Sequence, residues 1–208
     1  MKTLFYCLLM LSHAWSGKPV VSHSAPGGVS VLAVNTEEST IDWKAQKPTG
    51  THMGKVKIGS GTLIMHCGQL YSGTISMDMN TMAVIDLSGH DKNVLETNLR
   101  SSYFFDAGKF PEARLDIINV DHRSEKAFHF VTVLANLTLH GITKQITFTA
   151  DVSKSTVNDF AAQANITINR RDFAVATSNF KYDTFIYKDI QLHVSLQASR
   201  PEPSISSL

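Results

Sequence analysis

From Ile41 to Ala198 apolar side chains recur at every second position in one run after another, and this period limits the fold more than any other feature of the chain. Ile41, Trp43 and Ala45 alternate with Asp42 and Lys44; Leu63, Met65 and Cys67 alternate with Thr62 and His66. Tyr71, Ile75, Met77 and Met79 share one face, against Ser72, Thr74, Ser76 and Asp78. Leu115 and Ile117 follow, then Phe128, Phe130 and Leu134, then Ile146, Phe148, Ala150 and Val152. Phe160 to Ile168 and Ile190 to Ala198 complete the series. Turn residues separate the runs at Pro48-Thr49-Gly50, Cys67-Gly68-Gln69, Arg123 to Lys126 and His140-Gly141. Side chains alternate across a strand, so each run presents one apolar face. About eight such strands in sequential hairpins predict an all-β chain whose antiparallel sheet curls on itself into a barrel. Closure removes the sheet edges that would otherwise pair with other chains.

One segment breaks the period. Ser88-Gly89-His90-Asp91 has the form of a capping box, and Val94, Leu95 and Leu99 recur at helical spacing. The predicted helix runs straight into Tyr103, Phe104, Phe105 and Phe110, with Pro111 beyond. So many aromatic rings close a core or line a pocket, and this places a short helical, aromatic lid over one end of the barrel.

The ends read differently. Lys2, the apolar stretch Leu4 to Leu11 and the small-x-small site Ala14-Trp15-Ser16 predict a signal peptide over residues 1–16, and so a periplasmic or secreted protein cleaved near Ser16. That stretch is too short to span a bilayer, which excludes a transmembrane segment there. Residues 17–37, rich in glycine, proline and serine, predict a flexible linker. The barrel domain is expected over 38–200, and a disordered tail over 201–208, where Pro201 and Pro203 stop a central strand.

With 19 basic and 18 acidic residues, the chain lacks the excess charge that nucleic acid or an anionic membrane surface would require. Cys7 leaves with the leader, so Cys67 stands alone, without a disulfide partner, and is expected as a small buried hydrophobe.

Little in the sequence points to catalysis. His66 and Cys67 are neighbours on a strand and face opposite ways, which rules out a dyad. No histidine pair has metalloprotease spacing, no cysteine pair suggests zinc, and neither a nucleophile elbow nor a phosphate-cradling loop is present. Neither a catalytic nor a metal-ligating residue is therefore assigned. The sequons at Asn136 and Asn165 fall inside predicted strands and receive no role. What remains is apolar: Met65, Met77, Met79 and Met82 gather in two neighbouring strands. Flexible thioether chains beside phenylalanines suit either a gap-filled core or a cavity that adapts to a long guest. An eight-stranded barrel is of the size that does one or the other.

From Ser39 to about Ala198 the chain resembles the YceI-like family. The matching stretches are Ser39 to Trp43, Gly50 to Gly54, Gly73 to Asp78, Asn98 to Asp106 with Phe110-Pro111, Leu137 to Lys144 and Ile168 to Phe173. Asn98, Ala135 with Asn136, and Ala174 depart from the family's usual residues, the last where glycine is common. The resemblance implies an extended lipocalin-like antiparallel β-barrel with one or two short helices over one end. It implies an exported, non-catalytic protein without a cofactor, holding a polyisoprenoid, a quinone-type tail or a fatty amphiphile in its interior.

On this basis Ile75, Met77, Met79, Leu95, Phe104, Phe105, Phe128 and Phe130 are the expected ligand contacts, with their strands' faces turned inward. Arg170, Arg171 and Asp172 stand as head-group candidates, against a purely stiffening role at a strand end. Two other classes stay open: a ligand-free barrel serving structure or a protein partner, and a weak lipid-modifying enzyme using His52 or His90. A homodimer is compatible with all three.

Overall fold

A computed structural model describes residues 28–123, 129–175 and 187–202. Among them run nine strands: β1 (Val29–Val34), β2 (Thr40–Lys47), β3 (Gly50–His66), β4 (Gln69–Val84), β5 (Glu112–Asp121), β6 (Phe130–Leu139), β7 (Ile142–Ser155), β8 (Asp159–Asn169) and β9 (Asp189–Ser199). The helix α1 (Gly89–Arg100) follows β4, and a 3-10 turn, Arg170–Phe173, follows β8. Every pairing is antiparallel, in the order β3-β2-β9-β8-β7-β6-β5-β4, and β4 returns to β3. The result is a closed barrel of eight staves, as the alternation predicts.

The ninth strand shares a stave. β1 lies against the far half of β3 (Val29 opposite His66, Ala33 opposite Thr62), and β2 against its near half, from Ile41 opposite Val56 to Lys47 opposite Gly50. Both also pair with β9, so they form one stave interrupted at 35–39. Within the break, the Asn35 side-chain oxygen accepts from the N–H groups of Glu37 and Glu38, at 3.1 and 3.3 Å. The buried Ser39 hydroxyl donates to Gln197 O and accepts from Gln197 N–H.

This stave corrects the linker. Residues 29–34, expected in a flexible tether over 17–37, are a barrel strand with Leu32 and Val34 buried. Apolar residues occupy both faces of Val-Ser-Val-Leu-Ala-Val, which masks the period. The expected leader, residues 17–27 of the linker and residues 203–208 of the tail lie outside the described residues.

Two hairpins turn in two residues. Cys67 (φ 52°) with Gly68 (φ 77°), and His140 (φ 52°) with Gly141 (φ 74°), have the consecutive positive φ of type I′ turns. Cys67 is thus exposed at a turn and not the buried hydrophobe its run suggested. Gly141 is needed for a second reason, since a Cβ there would strike the Phe110 ring.

Candidate functional site

The barrel axis is apolar, and two narrow cavities lie along it. The first, of about 100 Å³, is bordered by Trp43, Met79, Met82, Leu99, Phe104 and Phe105, among others. The second, of about 80 Å³, lies toward Leu70, Ile75, Leu115, Phe148, Phe160 and Leu196. Ile41, Met77, Leu137 and Leu192 border both cavities and stand between them, so the two are neighbouring lobes of the apolar interior. Among the described residues, only Arg170, the Trp43 indole and Gln163 add to hydrocarbon and thioether groups around these walls.

The first lobe is built around an irregularity in β4. The β3–β4 register jumps from Lys55 opposite Ala83 to Lys57 opposite Asp78, so residues 79–82 leave the ladder. The excursion is pinned by its own hydrogen bonds: Asn80 N–H to Asp78 Oδ1 (3.0 Å), Thr81 Oγ1–H to Asp78 O (2.6 Å), and Lys57 N–H to Thr81 Oγ1 (2.9 Å). Met79 and Met82 are both buried, although odd spacing would set them on opposite faces of a regular strand.

Helix α1 straps this excursion. Glu96 Oε1 accepts from Val84 N–H at 2.9 Å, and Arg100 donates to Met82 O at 3.2 Å. Glu96 is further held by Lys92 and Arg100. At the helix end Phe105 N–H donates to Leu99 O and Ala107 N–H to Arg100 O. That turn brings Phe104 and Phe105 to the lobe beside Leu99. Ser88 occupies the N-cap, yet its side chain makes no capping bond, so the expected capping box is not formed.

Of the eight expected contacts, Ile75 borders the second lobe, Met77 both, and Met79, Phe104 and Phe105 the first. Leu95 is half-buried against the core but borders neither lobe. Phe130 is a correction: β6 buries Val131, Val133, Ala135, Leu137 and Leu139, so Phe130 is on the outer face, its ring 4.3 Å from that of His129. Phe128 lies outside the described residues. Tyr71, expected on the face of Ile75, is 66% exposed. The register passes from Ile64 opposite Ser72 to Met65 opposite Leu70, making Tyr71 a bulge residue and turning Leu70 inward instead. The walls missed in sequence, Trp43 and Leu137 among them, sit on faces whose alternation was visible or ambiguous.

The basic cluster divides. Arg170 is 1% exposed and borders the first lobe; its guanidinium donates to Val175 O (2.9 Å) and Tyr187 O (3.3 Å). Arg171 and Asp172 are exposed. Asn169 Oδ1 accepts from Arg171 N–H and caps the 3-10 turn. Arg170 therefore ties the turn to the chain around Val175 and Tyr187.

Titratable pairs lie away from the lobes. His52 Nδ1 and Asp86 Oδ2 are 2.8 Å apart, and Asp86 Oδ1 accepts from Met53 N–H at 2.9 Å. Burial pushes the Asp86 carboxyl up, but those hydrogen bonds outweigh it and hold the group below its ordinary value. Neither His52 nor His90 borders a lobe. Among the described residues no three His, Cys, Asp or Glu side chains are grouped to hold a metal ion, and no helix is long and apolar enough to cross a membrane.

A closed antiparallel barrel around an elongated apolar column, with a helix and an aromatic turn at one end, defines an extended lipocalin-like barrel. The chain belongs to the YceI-like family, whose domain model matches residues 32–198. It is 32% identical over 175 residues to a UPF0312 protein of Vibrio vulnificus, covering 78% of this chain and 88% of that one. Its fold is shared with BcnA of Burkholderia cenocepacia (TM-score 0.67, 16% identity, 80% of this chain and 99% of the other). It is likewise shared with a polyisoprenoid-binding domain from Saccharophagus degradans (TM-score 0.59, 13% identity, 84% and 100%). The match begins at residue 32, within β1.

Proposed function

We propose that the chain is a non-catalytic carrier or store for a long-chain apolar ligand, held along the barrel axis outside the cytoplasm. The ligand classes are a polyisoprenoid, a quinone-type tail or a fatty amphiphile. The pair of apolar lobes joined at Met77 carries this reading: a column narrow enough to contact a hydrocarbon chain on all sides, with walls that offer it few polar groups. Burial of each methylene contributes about 0.8 kcal/mol, so a prenyl tail needs no covalent chemistry to be held. The polyisoprenoid-binding domain with the same fold supports the choice of ligand. The leader-like residues 1–16 support an exported location.

The narrowness of the lobes favours one alternative, a barrel filled by its own methionines and phenylalanines that serves structure or a protein partner. Mass spectrometry of organic extracts from natively purified protein separates the two. A stoichiometric long-chain lipid is expected. Extracts without one, together with no uptake of added prenyl lipid by the stripped protein, would overturn the carrier reading.

A further inference from the structure

We infer that Phe160 and Leu70 limit the length of tail the barrel accepts: the tip of a hydrocarbon chain stops against them, and its polar end stays at the α1 end. This deepens the proposed function and rests on it.

The two ends of the barrel are built differently. Where β3 turns into β4 and β7 into β8, inward positions near the strand ends are occupied by Leu32, Met65, Val131 and Ala198. Each is 4% exposed or less, and none borders either lobe, so side chains fill the barrel at this level. Leu70 and Phe160 are the outermost buried residues of β4 and β8, yet both border the second lobe. Leu70 pairs across the ladder with Met65, and Phe160 with Ala198. The two therefore stand between the filled layer and the lobe.

The backbone holds them there. His122 Nε2–H donates to Leu70 O at 2.8 Å. Ser155, opposite Phe160, donates its hydroxyl to Gly68 O at 2.7 Å, which ties the β7–β8 turn to the β3–β4 turn. Past the end of β9, Arg200 N–H donates to Asn158 O at 2.8 Å.

The α1 end is covered more lightly. Leu99 is the buried residue of α1, and the Glu96 and Arg100 side chains hold the helix to β4. A cover with so few buried apolar contacts opens more readily than a packed layer. Taking a polar head group out of water among apolar walls is unfavourable. A chain thus enters tip first past α1 and advances until it meets Phe160 and Leu70.

The test uses straight-chain primary alcohols from decanol to docosanol. With the unsubstituted chain, affinity is expected to rise about fourfold per added methylene and then to level off at one length. Phe160→Ala, and to a smaller extent Phe160→Leu, should move that levelling to longer alcohols, the first ones past the natural limit again gaining about fourfold per methylene. Phe105→Ala, at the other end, should weaken binding without moving it. Levelling at the natural length in both Phe160 variants, or a shift produced by Phe105→Ala alone, would overturn the inference. The tip is located without any substitution: hexadecanol carrying carbon-13 at its terminal methyl should show nuclear Overhauser contacts to the rings of Phe148 or Phe160. Contacts to Phe104 and Phe105 in their place would overturn the orientation, even if neither Phe160 variant folds. Alcohols that bind with their tips at Phe105 sink this inference alone; failure of every alcohol to bind sinks the carrier reading with it.

Discussion

Met77 borders both lobes, and a rigid ring in its place should close the passage between them. The methionine chain can swing aside for a ligand; a phenylalanine with fewer torsions cannot. Met77→Phe is therefore expected to confine a guest to one lobe. The loss follows from the volume forfeited. Cavity space in a core is worth roughly 24 cal/mol per Å³. Hydrocarbon that fills the second lobe, about 80 Å³, therefore recovers about 2 kcal/mol, or about 25-fold in affinity. Equilibrium binding of octaprenol, long enough for both lobes, is expected to weaken by about that factor. Geraniol, short enough for one, should stay within about twofold on the same scale. Thermal unfolding of the variant reads the overpacking cost separately, about 1–3 kcal/mol. If octaprenol binds the variant as well as the natural chain, the lobes are not one channel. If both alcohols weaken equally, Met77 is a general packing residue and not a gate.

Ala174 follows the 3-10 turn at φ 53°, a left-handed conformation in which alanine is strained, so Ala174→Gly is expected to raise stability by about 0.5–1 kcal/mol and Tm by about 2 °C; calorimetry showing no rise or a fall would refute the strain. Gly54→Ala should destabilise by about 3 kcal/mol in urea unfolding, because the added methyl meets the Ala83 carbonyl, which cannot rotate away, as well as the Trp43 ring. An unchanged midpoint would mean that the two strands part freely there. The Asp86 carboxyl is held below its ordinary value when folded, so its stabilisation is present above the unfolded value and lost as pH falls through the lower folded one. Asp86→Asn should accordingly be less stable than the natural chain at neutral pH, with the gap closing below about pH 4; a gap constant with pH would refute it. Phe105→Ala is expected to keep the fold and weaken prenyl-lipid binding, and unchanged binding would remove Phe105 from the lining.

Legibility in the sequence tracks how one-sided each strand is. β2, β8 and β9 pack apolar residues on one face and polar ones on the other, and the faces read from Ile41, Phe160 and Ile190 onward are those the barrel buries. β1 and β6 carry apolar residues on both faces, so the period is there but its phase is not. On β6 the larger side chain, Phe130, points outward while Val131 and Val133 fill the core. Size says little about direction at a strand end, where an outer aromatic can rest on a neighbour such as His129. The buried position of Arg170 had no sequence signal at all. It depends on carbonyls of Val175 and Tyr187, at separations no local pattern encodes.

The strand that shapes the interior is also the one where the period fails. β4 is broken twice, at Tyr71 and across 79–82, and each break changes which residues face inward. The first exchanges Tyr71 for Leu70 at the far end of the second lobe. The second sets Met79 and Met82 together on the wall of the first lobe and leaves the Met82 carbonyl and Val84 N–H to be held by Arg100 and Glu96. A regular strand would have sent one of these methionines to solvent. Helix α1 can be anchored here because β5 pairs with β4 only as far as Asp78, which leaves the Met82 carbonyl and the Val84 N–H for Arg100 and Glu96, and the same anchorage carries Leu99, Phe104 and Phe105 to the lobe. A departure from alternation next to a helix and an aromatic cluster is thus the feature that builds the first lobe, and regular periodicity is what fills the rest of the wall.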